Sequence, residues 1–148
     1  MAFHGGIPIL VDENKETHMI PELTATPFNN RQIWIDDMDP VSQQILWNDP
    51  MPESPENKEH NYLKNRRGLG YLFGEHIFRD FCLKNKVDYV FRGHQVYSEG
   101  IHYDFDKRFI TIVSTSNYSG KPIHARFVEV DSTDIVNQKV HSIQDLSD

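Results

Sequence analysis

Two histidines lie beside glycine in settings that suit a metal ligand, His4 in Phe-His-Gly-Gly and His94 in Arg-Gly-His-Gln. Each follows a position expected to end a strand, and glycine leaves space for a cation or ligand to approach the backbone. Neutral imidazole is a common metal ligand, but most metal sites need three or four protein donors. From these residues alone, the two segments could form part of a metal site or could simply be tight turns. The interpretation as tight turns is favoured.

Three other polar residues have settings that allow chemistry. Arg67 precedes Gly-Leu-Gly, which would let its guanidinium reach an oxyanion, although a solvated arginine beside a turn fits the same residues. Tyr118 could line a polar pocket or act as an aromatic plug. Asp49 could be a site residue or part of the turn that ends a helix. Cys82 instead falls on an apolar helical stripe, and we expect it in the core.

The elements that must position these residues are indicated by capping residues and periodicity. Asp39 and Pro40 suit an N-cap and a first helical position, which predicts a short helix ending near Trp47. Apolar residues at helical spacing predict a second helix over 75–86. Strands are predicted over 87–91, 100–105, 109–113 and 125–130. Loops are predicted over 12–38, 50–65 and 114–122, and we expect the strand before His4 to lie upstream of Met1.

The composition excludes several classes of function. Of the 148 residues, 15 are basic and 22 are acidic, and the resulting net charge of −7 makes nucleic acid and anionic membranes poor partners. No apolar run approaches the ~18 residues that a membrane span needs. The single cysteine rules out an internal disulfide and a multi-cysteine metal site. It also fits a reducing compartment, so we expect the protein in the cytoplasm.

Five segments, taken in order, resemble the PPP family of phosphoprotein phosphatases within the calcineurin-like metallophosphoesterase superfamily. They are Phe3–Gly6, Leu46–Pro50, Asn65–Gly74, Arg92–Gln95 and Ser114–Tyr118. The family's Gly-Asp-x-His, Gly-Asp-x-Val-Asp-Arg-Gly and Gly-Asn-His-Glu motifs do not occur in the 148 residues. The resemblance therefore implies a mixed α/β chain that is the C-terminal half of a four-layer αββα sandwich. Residues 1–131 would belong to the catalytic domain and 132–148 would form a C-terminal strand and tail.

The resemblance also implies roles for individual residues. His4 and His94 resemble two ligands of the second metal, and Arg67 resembles the arginine that binds the phosphoryl oxygens. Asp49 resembles the aspartate that hydrogen-bonds within the site, and Tyr118 resembles the tyrosine at its rim. The complete domain would hold two divalent transition metals, manganese, iron or zinc, with at most one partial site here. Its reaction would be metal-assisted hydrolysis of phosphoserine and phosphothreonine in proteins.

Some positions depart from the family pattern, and other functions stay open. Asn48 replaces the usual serine, Arg66 replaces an acidic residue, and Ser119 replaces a cysteine found in many members. Because several motifs are missing, we expect the chain alone to be inactive or nearly so, with the missing N-terminal half as a partner. The alternatives are a non-catalytic binding module derived from a phosphatase and a phosphatase acting on small molecules or dinucleotide polyphosphates.

Overall fold

The computed structural model describes residues 1–12, 18–23, 38–131 and 133–143. Most of the predicted loop over 12–38 therefore lies outside the described residues, as do residue 132 and the end of the predicted tail. The helices are α1 (Pro40–Trp47) and α2 (Glu75–Asn85), with a 3₁₀ turn at Asn57–Glu59. The strands are β1 (Ala2–Phe3), β2 (Leu10–Val11), β3 (His18–Met19), β4 (Asp49–Pro50), β5 (Tyr62–Lys64), β6 (Tyr71–Phe73), β7 (Val90–Arg92), β8 (Ile101–Asp104), β9 (Phe109–Ile112), β10 (Asn117–Tyr118), β11 (Lys121–Pro122), β12 (Arg126–Asp131) and β13 (Asp134–Ser142).

The larger sheet has the strand order β1-β7-β9-β8. Strands β1, β7 and β9 run parallel to one another, and β8 pairs antiparallel with β9. Phe3 is the register partner of Arg92, so β1 and β7 end side by side. The segments that carry His4 and His94 therefore leave this sheet at the same edge.

A second sheet, with the order β4-β6-β5, faces the first. The Phe73 ring from β6 packs edge-on against the Phe109 ring of β9, with centroids 5.4 Å apart. Phe78 of α2 packs against Phe109 in the same way, at 5.8 Å. These three rings are fully buried or nearly so. They form one core that α2 and both sheets share. Asp49 is the first residue of β4, in the second of these sheets.

Two-stranded ribbons complete the described structure. Pairs β2–β3, β10–β11 and β12–β13 are all antiparallel. Strand β12 ends at Asp131 and β13 begins at Asp134, and the division expected between residues 131 and 132 stays a prediction. None of the helices among the described residues is long and apolar enough to cross a membrane.

The structure confirms the mixed α/β prediction and both helices, and it corrects several details of the strands. The strand predicted over 87–91 begins later, at Val90, because the Val87 amide donates to Cys82 (3.0 Å) and still belongs to the end of α2. The predicted loop over 50–65 contains β5, the predicted loop over 114–122 contains the β10–β11 ribbon, and the described part of the predicted loop over 12–38 contains β3. The strand expected upstream of Met1 is represented within the chain by β1. Cys82 is buried as expected, and burial raises the pKa of its thiol.

Replacing Phe73 tests whether this ring holds the two sheets together. We expect Phe73→Ala to lower the free energy of unfolding by about 3–5 kcal/mol, because a large cavity would form between β6 and β9. Leu83→Ala is the control, since Leu83 is 79% exposed on α2 and its truncation should change stability by less than about 0.5 kcal/mol. Urea denaturation measures both. Equal losses in the two variants would contradict the proposed packing.

Candidate functional site

A buried ion pair joins the two sheets at the site. Arg92 from β7 donates to Asp49 Oδ1 of β4 at 2.8 Å, and their side chains are 0% and 2% exposed. Arg92 also donates to Gln95 Oε1 at 2.8 Å. Burial lowers the pKa of Arg92, and the hydrogen bond and charge of Asp49 oppose that shift. Two charges buried this deeply depend on each other's presence.

The second oxygen of Asp49 organises the loop that carries Arg67. Asn65 Nδ2 donates to Asp49 Oδ2 at 3.1 Å, and the Arg67 amide donates to Asn65 Oδ1 at 3.1 Å. Gly68 adopts φ +86° and Gly70 φ +70°, a region where glycine avoids the steric cost of a side chain. The loop therefore turns back sharply while Asn65 fixes its start to the buried carboxylate.

The guanidinium of Arg67 reaches one of the two candidate metal ligands. Arg67 Nη1 lies 2.8 Å from His94 Nε2, and the other ring nitrogen of His94, Nδ1, lies 3.2 Å from His4 Nε2. Asp49 Oδ2 lies 3.8 Å from Arg67 Nη1, and Asp49 Oδ1 lies 3.8 Å from His94 Nε2. The structure thus brings together four of the five residues singled out from the sequence.

His94 is held in an unusual conformation and in a buried setting. Its φ is +70°, a left-handed conformation that costs a residue with a Cβ roughly 1–2 kcal/mol. The Trp47 ring packs edge-on against its imidazole, with centroids 5.4 Å apart. Burial lowers the pKa of His94, an effect that Asp49 opposes and that Arg92, Arg67 and His4 reinforce. The neutral form, which can bind a cation, is therefore favoured at pH 7.

The glycine pair after His4 is needed for close packing and not for a left-handed turn. A Cβ on Gly5 would lie 2.3 Å from the Leu46 carbonyl oxygen, and one on Gly6 would lie 2.6 Å from the Asn48 carbonyl oxygen. The Gly5 amide donates to Ile45 O at 2.7 Å. The chain after His4 therefore lies directly against the end of α1.

The buried side-chain amides of Asn48 and Gln44 bind the backbone of the segment that follows His4. Asn48 donates to Ile7 O at 2.6 Å and accepts from the Tyr71 amide at 2.7 Å. Gln44 accepts from the Ile9 amide at 2.6 Å and from Asn48 at 3.1 Å. Asn48, which the family resemblance marks only as a departure from serine, thereby links the chain after His4 to β6.

The histidine pair fits one shared cation. Two nitrogens bound at about 2.0–2.1 Å, with an angle of roughly 90–110°, lie about 2.8–3.4 Å apart, and the observed separation is 3.2 Å. The described part of the chain contains no group of three or more His, Cys, Asp or Glu side chains arranged to hold a metal ion. His4 and His94 could therefore supply only two donors of a coordination sphere.

Tyr118 lies apart from this cluster. It is 54% exposed in the small β10–β11 ribbon. Within the described residues, no hydrogen bond or ring contact joins it to His4, Asp49, Arg67 or His94. Its predicted position at the rim of the site stays a prediction.

Three contributors were not identified from the sequence as site residues: Arg92, Asn65 and Trp47. The sequence marks Arg92 only as a neighbour of His94 in one of the family-like segments, although an arginine at the end of a buried strand signals a buried charge that needs a partner. Asn65 stands out only as part of a glycine-rich segment. Trp47 marks the end of a predicted helix in another family-like segment, and no local pattern indicates that its ring packs on His94.

A second carboxyl, that of Asp104 on β8, lies near the ion pair between Asp49 and Arg92. The Asp104 side chain is 15% exposed, and its Oδ2 has no hydrogen-bond partner among the described residues, while Oδ1 lies 3.4 Å from His102 Nε2. Burial raises the pKa of Asp104, and the charges of His102 and Arg92 oppose the shift. Ionisation of this carboxyl is therefore less favourable in the folded chain than in the unfolded one.

Comparison with solved structures defines the fold class. The chain superimposes with a TM-score of 0.63 on a Saccharomyces cerevisiae protein serine/threonine phosphatase described as similar to human phosphatase PP5. The sequences are 19% identical, and the match covers 99% of this chain and 44% of that one. The fold is that of this phosphatase class.

Comparison of sequences identifies the family. The family model for calcineurin-like phosphoesterases matches residues 2–98, and the chain belongs to that family. The Drosophila melanogaster serine/threonine-protein phosphatase 6 catalytic subunit is 36% identical over 74 residues, 50% of this chain and 22% of that protein. Serine/threonine-protein phosphatase PP1-delta of Caenorhabditis elegans is 28% identical over 121 residues, 82% of this chain and 35% of that protein. The chain thus spans between 22% and 35% of these two relatives.

Removing the positive partner of the buried ion pair should be strongly destabilising. We expect Arg92→Met to cost about 3–5 kcal/mol, because Asp49 would remain buried without its counter-charge. Adding Asp49→Asn should recover part of the loss, since the remaining side chain is uncharged. Urea denaturation of the wild type, both single variants and the double variant measures the coupling. A double variant less stable than Arg92→Met would contradict a cost due to uncompensated charge.

Asp104→Asn should stabilise the protein at neutral pH and have little effect in acid. Above the ordinary Asp pKa of 3.8 the unfolded chain ionises while folded Asp104 still resists ionisation, so rising pH favours unfolding. The asparagine amide of the variant does not ionise, so the variant lacks this loss of stability at higher pH. Thermal unfolding at pH 4 and pH 7 compares the two proteins, with the exposed Asp88→Asn as the control. A variant that gains as much at pH 4 as at pH 7 would contradict this expectation.

Proposed function

We propose that this chain supplies part of the active site of a metal-dependent serine/threonine protein phosphatase. The observation that carries the proposal is the contiguous arrangement of His4, His94 and Arg67, with 3.2 Å between the two histidines and 2.8 Å from His94 to the arginine. Its relatives are serine/threonine-protein phosphatases. A phosphate-binding arginine beside two imidazole donors is the chemistry that phosphomonoester hydrolysis needs.

Each residue has a defined task in this proposal. His4 Nε2 and His94 Nδ1 would hold one divalent transition metal, manganese, iron or zinc, and a second metal would need donors that the described residues do not provide. Metals bound there would supply an activated water and would neutralise charge on the phosphoryl group. Arg67 would donate to the phosphoryl oxygens, because its planar fork matches an oxyanion. Asp49, held by Arg92 and Asn65, positions that loop.

The substrate and partners follow from the same proposal. The substrate would be a phosphoserine or phosphothreonine side chain of a protein, and the partner a polypeptide that carries the missing aspartate and asparagine motifs. We also propose a reducing, cytoplasmic location, which the free and buried Cys82 supports. The chain alone would hydrolyse little or no phosphomonoester, because two histidines do not hold a dinuclear centre.

Hydrolysis of para-nitrophenyl phosphate with Mn²⁺ tests these roles. We expect negligible turnover by the 148-residue chain and measurable turnover after addition of a phosphatase N-terminal segment that carries the missing motifs. In that complex Arg67→Ala should lower kcat by about 10²-fold, the usual effect of losing one transition-state donor. His94→Asn should abolish turnover, and asparagine is the better replacement because it tolerates the left-handed backbone of His94.

Two results would contradict the proposal. Turnover by the chain alone that His94→Asn abolishes would show that it is not merely a partial site. An assembled complex without turnover, in which Arg67→Ala and the wild type behave alike, would favour a non-catalytic binding module. The control Arg66→Ala should retain turnover, because of these two arginines it is Arg67 whose guanidinium contacts His94.

A further inference from the structure

The hydrogen bond between Arg67 and His94 determines where the proton of His94 lies. A guanidinium can only donate, so His94 Nε2, at 2.8 Å from Arg67 Nη1, must accept. A neutral imidazole carries one N–H, and here that N–H is on Nδ1. His94 Nδ1 in turn lies 3.2 Å from His4 Nε2, which accepts from it.

This arrangement places a proton where the cation would bind. Coordination by the pair requires lone pairs on both His4 Nε2 and His94 Nδ1. Binding therefore requires that the His94 proton be removed from Nδ1 and one be added at Nε2, an exchange that leaves the number of protons on the ring unchanged. His94 Nε2–H could then no longer accept from Arg67.

A second acceptor is already present for the exchanged proton. Asp49 Oδ1 lies 3.8 Å from His94 Nε2, within reach after a small ring movement. Carboxylates commonly accept the remote N–H of a metal-bound histidine and fix its orientation. His94 Nε2 thus has a partner in each state, Arg67 in one and Asp49 in the other.

We propose that Arg67 and a divalent cation compete for His94, so that cation binding releases Arg67 from the imidazole to the phosphoryl group. The inference rests on the proposed function, which assigns the cation to the histidine pair. The Arg67 side chain is 49% exposed and lies just before Gly68, so it can leave His94 without disturbing the core. By linkage, an anion that binds Arg67 strengthens cation binding by the same factor by which the cation strengthens anion binding.

Fluorescence of Trp47 provides a local measurement, because its ring contacts His94. The chain has two tryptophans, so Trp34→Phe leaves Trp47 as the sole emitter, and Ni²⁺ at the histidine pair should quench it. In this background we expect Arg67→Ala to tighten the Ni²⁺ midpoint between about two- and tenfold, the effect of removing one competing hydrogen bond. Arg66→Ala removes a neighbouring charge without that bond and should shift the midpoint less than twofold.

The tautomer of His94 separates competition from a simple change in charge. Imidazole ¹⁵N spectra of the metal-free wild type should show the proton on Nδ1, and Zn²⁺ should move it to Nε2. In metal-free Arg67→Ala the Nε2–H form should already be populated. Circular dichroism checks that each variant is folded.

The outcomes are distinct. Tighter Ni²⁺ binding by Arg67→Ala alone, together with the tautomer change, supports the competition. Equal midpoints in Arg67→Ala, Arg66→Ala and the parent, or a metal-free wild type with the proton on Nε2, would overturn it while leaving the histidine pair as a cation site. Quenching that His94→Asn does not remove would overturn the cation site, and with it both the proposed function and this inference.

Discussion

The buried ion pair between Asp49 and Arg92 is the interaction on which the rest of the site depends. Neither charge is accessible to water, so each is stable only while the other stays in place. This requirement fixes β4 against β7 more specifically than packing of aromatic rings could. Asp49 uses its remaining oxygen to hold Asn65, and through Asn65 it sets the loop of Arg67. A contact between two sheets thereby determines where an exposed guanidinium can reach.

The two histidines of the site are positioned by steric fit and backbone conformation and not by charge. His4 follows β1, and the glycine pair after it lies against the carbonyl groups that end α1. These glycines do not have left-handed backbones; they are needed because no side chain fits there. His94 shows the opposite case, a residue with a side chain in a left-handed conformation. One histidine is therefore placed by close approach and the other by a strained backbone, and the parallel strands β1 and β7 bring them to the same edge.

Local signals predicted the helices and most of the candidate site. Asp39 and Pro40 mark the start of α1 through capping chemistry that does not depend on distant residues. His4, His94 and Arg67 were identified from their glycine neighbours and from their order along the chain. Apart from β7, whose position was shifted, the strands of two or three residues are not predicted, because their pairing is not encoded in a local alternation. Arg92 was not identified because its role arises only when two sheets meet.

The dependence of His4 on α1 has a consequence for the order in which parts of the molecule open. α1 has only eight residues, no acidic side chain in its first turn and no basic one in its last, and its only buried side chain is the amide Gln44. It contributes no large apolar side chain to the central core, which is built from α2 and the two sheets. Opening of this short helix therefore needs far less free energy than global unfolding. Such an opening would break the hydrogen bond from the Gly5 amide to Ile45 and so loosen His4 while Asp49, Arg92 and the aromatic core stay folded, so loss of the paired histidines can precede any loss of the fold.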